Sequence, residues 1–235
     1  MAVRISYSSG RITLEAFFGG CERTCYLVLP GGLSDEISSW AQNAVSEHSL
    51  NLVLVLGTDW NDDLTPWPAP GVFRKAKPFG GKASAFLETL VNEHIPTLEK
   101  ELFHGSDASL RTRTLAGVSL SGLFAIWAAH QTDAFDSVIS ISGSLWYDGF
   151  AAWTAGSRLS PSVRSVYLSL GDREKNSRDQ RMRTVEDCTR AVASCLSGNE
   201  TSPKVMLSIE KDTTHFSPVV PRLESAFACL EEMSV

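Results

Sequence analysis

The stretch Leu115-Ala116-Gly117-Val118-Ser119-Leu120-Ser121-Gly122-Leu123-Phe124-Ala125-Ile126 decides the fold. Apolar residues run into a group of small ones and emerge as a second apolar run, the pattern of a buried strand bending sharply into a buried helix. Such a bend leaves no room for bulk two residues before or after its apex, and Gly117 and Ser121 hold those positions around Ser119. The turn lifts the Ser119 hydroxyl from the sheet edge. It also brings the N–H of Leu120 to a helix amino terminus, where it can donate to a developing oxyanion. The segment departs from the G-x-S-x-G pattern only in Ser121, which replaces the last glycine and is still small. A Ser- and Gly-rich junction can be plain turn chemistry. The strand-like Arg113 to Ala116 before it and the apolar Leu123 to Ala129 after it favour the catalytic reading.

Outward from this elbow, strands and helices alternate. Ile5 to Tyr7 and Ile12 to Phe18 read as an antiparallel pair turned at Ser8-Ser9-Gly10, and Thr24 to Leu29 as a third strand ending at Pro30-Gly31-Gly32. Ser34 caps a helix through about Glu47, with Asp35 and Glu36 in its first turn. Asn51 to Leu56 is a continuous apolar strand. Lys82 to Leu102 has helical spacing, with Pro96 placed to bend it. After the elbow helix come strands Ser137 to Ser142, Ser165 to Leu170 and Lys204 to Ile209, with helices at Met182 to Leu196 and Pro221 to Met233. Buried strands separated by helices predict an α/β fold: a mostly parallel sheet covered on both faces, with an antiparallel pair at its amino-terminal edge. Ligands of such a sheet bind at the carboxyl ends of the strands, where Ser119 stands.

The 235 residues contain no linker, low-complexity tract or repeat, so residues 1–235 read as one domain without a large cap. A net charge of −6 argues against an electrostatic grip on nucleic acid or anionic membrane, which leaves a small molecule as the expected partner; the oligomeric state stays open. The apolar run Leu52 to Leu56 is strand-sized, and no leader pattern is present, so a cytoplasmic protein is expected. Cys21, Cys25, Cys188, Cys195 and Cys229 form no CxxC pair and read as reduced structural thiols; neither a metal nor a cofactor is expected.

An elbow serine needs a base and an orienting acid, which in this architecture follow it in the order serine, acid, histidine on loops after late strands. Of the histidines, His48, His94, His104 and His130 stand near helix ends or ahead of any such loop. His215, in Asp212-Thr213-Thr214-His215-Phe216, follows the last strand and is the expected base. The turn Gly171-Asp172-Arg173-Glu174 follows the preceding strand and offers two carboxylates. Glu174 has the longer reach from the strand end and is preferred, with Asp172 as the fallback. The second oxyanion donor is expected after the first central strand, at the N–H of Gly32 or next at Leu33, although Gly31-Gly32 can equally be plain turn chemistry.

At Gly117-Val118-Ser119-Leu120-Ser121-Gly122-Leu123-Phe124 and Ser142-Gly143-Ser144-Leu145-Trp146-Tyr147 the chain resembles the esterase branch of the α/β-hydrolase superfamily, and within it the cytosolic group that includes siderophore (enterobactin-type trilactone) esterases. Asp63-Leu64-Thr65-Pro66-Trp67, Lys77-Pro78-Phe79-Gly80-Gly81, Leu168 to Glu174 and His215-Phe216 carry the same resemblance in order along nearly the whole chain. It implies an ester-cleaving Ser–His pair with a variable acid.

The loop from Asp59 to Gly81 carries Trp60, Trp67, Phe73 and Phe79 with Arg74, Lys75 and Lys77, and is long enough to overhang the site. Trp67 and Arg74 could form an aromatic, cationic substrate rim, or the loop could be a proline-stiffened arch packing its own aromatics. Trp146 after the next strand could line the same pocket. The resulting expectation is a metal-independent serine esterase using Ser119, His215 and Glu174, with Leu120 and Gly32 as oxyanion donors. An acyltransferase and a catalytically degenerate ligand-binding protein are the alternatives.

Overall fold

The computed structural model describes residues 2–72, 75–103, 111–198 and 203–233. The chain opens with β1 (Val3–Ser9) and β2 (Ile12–Phe18), an antiparallel hairpin whose turn is relieved by Gly10 at φ 60°. β3 (Arg23–Val28) leads to α1 (Asp35–Glu47), where the Ser34 hydroxyl accepts the Ile37 N–H at 3.3 Å. β4 (Asn51–Leu56) is buried at every residue. The long loop that follows contains a two-residue pairing, β5 (Pro68–Ala69) with β6 (Phe79–Gly80).

The helix expected over Lys82 to Leu102 is divided into α2 (Ala83–Thr89), a π turn (Leu90–His94) and α3 (Ile95–Leu102). Pro96 falls in the first turn of α3, and the wider turn before it makes room for its ring. Then follow β7 (Thr112–Val118), α4 (Leu120–Ala128), β8 (Ser137–Ile141), α5 (Phe150–Gly156), β9 (Ser165–Gly171), α6 (Val185–Leu196), β10 (Lys204–Glu210) and α7 (Val220–Met233). α5 is a helix that the sequence pattern does not announce: seven residues give too few repeats to separate from a loop. Met182–Thr184 is a 3-10 turn, so α6 starts later than expected.

The eight strands of the main sheet lie in the order β1-β2-β4-β3-β7-β8-β9-β10. β2 is antiparallel to β1 and to β4, and every other neighbour pair is parallel. One face packs on α1 and α7 through Trp40, Ala44, Leu223 and Phe227. The other packs on the remaining helices, including α4, whose nine residues are all buried. Register then sets the site. Val28 pairs with Gly117, Val118 with Ile141, Ile141 with Ser169, and Gly171 with Glu210, so the loops after β3, β7, β8, β9 and β10 leave the sheet along one edge.

Candidate active site

Ser119 sits between β7 and α4 at φ 60°, ψ −121°, a conformation that costs energy for a residue with a side chain and marks a constrained turn. A Cβ on Gly117 would come within 2.2 Å of the Ser121 carbonyl, which makes glycine obligatory there. Ser121 is fully buried. Its Oγ accepts the Val118 N–H at 2.8 Å and lies 2.8 Å from the carbonyls of both Val28 and Val118, so the hydroxyl that replaces the usual glycine ties the elbow to the end of β3. The Ser119 N–H donates to the Ile141 carbonyl at 3.0 Å. Its carbonyl accepts from the N–H of Leu123 at 3.1 Å and of Ser144 at 3.0 Å.

From this apex the Ser119 Oγ lies 3.1 Å from His215 Nε2, and His215 Nδ1 lies 2.9 Å from Glu174 Oε2. The histidine side chain is 25% exposed and the glutamate 3%. Glu174 Oε1 accepts from the Ser142 hydroxyl and from the Gly171 N–H at 2.9 Å. Burial pushes the Glu174 carboxyl up, but the hydrogen bonds from His215, Ser142 and Gly171 outweigh it and hold the group below its ordinary value. The carboxylate therefore stays ionised beside the imidazole.

Asp172 takes a different part. Its Oδ1 accepts the Thr213 N–H at 3.2 Å, and the Arg173 N–H donates to the Thr213 carbonyl at 3.1 Å, so this turn holds the histidine loop and not the histidine. A Cβ on Gly171 would lie 2.3 Å from that same carbonyl, which shows how closely the two loops meet. His48 is engaged by Glu224 at 2.6 Å, while His94 and His130, their pKa values lowered by burial, lie against Tyr7 and Trp153. His104 lies outside the described residues.

Of the expected oxyanion donors, Leu120 opens α4, so its N–H has no intrahelical acceptor. Gly32 stands in the exposed turn after β3, next to Gly31 at φ 74°, and that turn begins just past Val28, whose carbonyl is 2.8 Å from Ser121 Oγ.

A cavity of about 230 Å³ opens beside His215, walled by Trp146, Met182, Val185 and Phe216. Trp146 is thus brought to the histidine. Trp67 is not: its ring packs on Tyr147, Phe150 and Trp153 and its Nε1 donates to the Asp148 carbonyl at 2.9 Å, so it braces the loop. Arg74 and Phe73 lie outside the described residues. Lys75 is exposed, and Lys77, the third cation of the loop, is paired with Asp59 at 3.0 Å and Asp62 at 3.4 Å. For Trp67 and Phe79 the proline-stiffened arch is the better description. A wider cavity of about 350 Å³ lies at the opposite, amino-terminal ends of the strands, among Thr112, Ser137 and Ser165.

Three further residues join this arrangement in parts that the sequence alone did not assign. Ser142, at φ 46°, supports Glu174; Ser144 Oγ lies 3.4 Å from Ser119 Oγ; and Arg181 lies with its guanidinium carbon 5.3 Å from the Trp146 ring centroid while its Nε donates to Asp148 at 2.8 Å. Glu47, His48 and Glu224 gather metal-binding residue types at the contact of α1 with α7, on elements that do not supply Ser119, His215 or Glu174.

With this geometry in hand, the family model described as "Putative esterase" matches residues 34–194. The chain belongs to that family. A relative from Bacillus subtilis (strain 168), described as "Uncharacterized protein YbbA", is 31% identical over 156 residues, 66% of this chain and 62% of its own length. Among solved structures, a siderophore hydrolase, EstA from Aspergillus nidulans, superposes with a TM-score of 0.73 at 21% identity, covering 100% of this chain and 95% of the other. An IroE-like serine hydrolase from Shewanella oneidensis does so with 0.76 at 17%, covering 98% and 80%. At these identities the likeness establishes the α/β-hydrolase fold, and esterase-family membership makes carboxylic ester hydrolysis the reaction class to be derived from the site. The family match ends before His215.

Proposed function

We propose that the protein is a serine esterase working through an acyl-enzyme. The observation that carries this reading is the unbroken chain from Ser119 Oγ through His215 to Glu174, at 3.1 and 2.9 Å, at the carboxyl edge of the sheet. His215 Nε2 takes the hydroxyl proton as Ser119 attacks the ester carbonyl, and Glu174 stabilises the imidazolium that forms. The N–H groups of Leu120 and Gly32 receive the oxyanion. Collapse of the tetrahedral species expels the alcohol, which takes its proton from His215. Water, activated by the same imidazole, then releases the acid and regenerates Ser119. Each step needs only this chain's residues and water.

The substrate in this reading is an ester with an aromatic group, seated against Trp146 and Phe216 in the cavity beside His215. The fold likeness to siderophore hydrolases makes catecholate lactones the first natural compounds to try. Residues 1–235 act as one catalytic domain, and the five free thiols suit a reducing cytoplasm. The test is a panel of aryl, alkyl and catecholate esters assayed with the wild type and Ser119→Ala. Turnover that survives in the variant would sink the proposal, and loss of all turnover in a folded variant supports it.

A further inference from the structure

Behind the Glu174 carboxylate lies a buried pair of charges that the mechanism above does not use. Arg222, at the start of α7, has a side chain only 6% exposed; its Nε is 2.5 Å from Glu210 Oε2 and its Nη2 is 3.7 Å from Glu174 Oε1. Glu210 closes β10 and stands opposite Gly171, the last residue of β9, from which the turn to Glu174 departs. The guanidinium therefore bridges the ends of two adjacent strands through their carboxylates, one of which holds His215. Around Glu174 the remaining charged and polar neighbours are His215, the Ser142 hydroxyl and the Gly171 N–H. Around Glu210 the Tyr167 phenol is the further titratable neighbour, and Arg173 on the histidine side is paired with Asp212.

A cation this deeply buried is expensive unless its charge is used, and packing alone would be served as well by an apolar side chain of the same length. We infer that Arg222 is a positioning residue of the site, held in place by Glu210, that sets the electrostatic field on Glu174 and through it the ease with which His215 is protonated. This rests on the serine-esterase reading. Arg222 and Glu210 both lie beyond residue 194, where the family match ends, so the device belongs to the carboxyl-terminal part of this chain.

The signs follow from charge. Arg222 offsets part of the attraction between the carboxylates and an imidazolium. Arg222→Met leaves Glu174 and Glu210 uncompensated, favours the protonated imidazole and moves the acid limb of kcat/KM to higher pH. Glu210→Gln leaves Arg222 uncompensated and moves that limb to lower pH. A role in packing alone would produce no such opposition.

The experiment records kcat and KM for p-nitrophenyl acetate against pH for the wild type, Arg222→Met, Arg222→Lys and Glu210→Gln, with circular dichroism and Tm for each. The expected result is opposite displacements of about half a pH unit, a several-fold lower plateau kcat with little change in KM for Arg222→Met, and recovery toward wild type in Arg222→Lys. Profiles of Arg222→Met and Glu210→Gln that coincide with wild type, or shift the same way, overturn the inference. Should Arg222→Met fail to fold, the test passes to Glu210→Gln and the Glu210→Gln/Arg222→Met double variant, which leaves neither charge of the pair. Its limb must then return toward wild type from that of Glu210→Gln. Ser119→Ala separates the two levels: an inactive Ser119→Ala beside unshifted profiles removes only the role of Arg222, whereas an active Ser119→Ala removes the serine mechanism itself.

Discussion

At the elbow, residues 117–122 position Ser119 largely among themselves, whereas His215 comes from 96 residues further along the chain and meets an acid 41 residues before it. The first arrangement depends on size: a glycine where a Cβ would strike the Ser121 carbonyl, and a small serine whose hydroxyl fills the space the pattern gives to glycine. The second depends on partners, with Asp172 and Arg173 gripping Thr213, Ser142 gripping Glu174, and β9 and β10 ending level. A turn shaped by steric fit is damaged most directly by changing its own few residues. A device assembled from distant loops can be weakened from many places, and its parts are individually less decisive.

That contrast ranks the expected effects of mutation. Ser119→Ala should lower kcat by at least ~10³-fold with Tm nearly unchanged, since the hydroxyl contributes chemistry more than packing; steady-state kinetics with a melting curve checks both. His215→Ala should be nearly as damaging, while changes at His48, His94 or His130 should leave turnover within a few-fold, because those rings serve the α1–α7 contact and the core. One of these three proving essential would break the assignment of the base.

Glu174→Gln should cost at least ~10-fold in kcat, and Asp172→Asn much less, because the asparagine oxygen can still accept the Thr213 N–H. The same pair has a signature in stability. Since the folded Glu174 carboxyl is held below its ordinary value, its contribution is present above the unfolded value and is lost as pH falls through the folded one. Glu174→Gln should therefore be the less stable protein at neutral pH and lose less on acidification, which denaturant melts at several pH values would record. The smallest effect is expected at Ser121→Gly, which restores the usual glycine but removes the tie to Val28: about 1–2 kcal/mol of stability, with kcat within a few-fold. A large loss of activity there would mean that the elbow is less self-contained than its contacts indicate.

The same contrast explains what could be read in the residues before the fold was in view. The elbow was legible because steric demand writes itself as small residues at fixed spacing. His215 and Glu174 were legible only through chain order, which says on which loops a base and acid should lie but not that Asp172 turns toward Thr213. The contacts of Ser142, Ser144, Arg181 and Arg222 join loops and helices far apart in sequence, and no local pattern says which partner each of these side chains meets. The loop from Asp59 to Gly81 was the least legible. Its tryptophans and lysines suit a binding rim as well as a self-packed arch, and only the contacts of Trp67 with Tyr147, Phe150 and Trp153 separate the two. The short α5 and the π turn ahead of Pro96 escaped for a related reason: a few residues cannot establish a period.

The most direct test of the central claim is covalent. A fluorophosphonate carrying a mass-resolved tag, reacted with the folded protein and followed by peptide mapping, should give one adduct on the Ser119 hydroxyl, formed much more slowly in His215→Ala. An inert protein, or an adduct at any residue other than Ser119, would contradict the account.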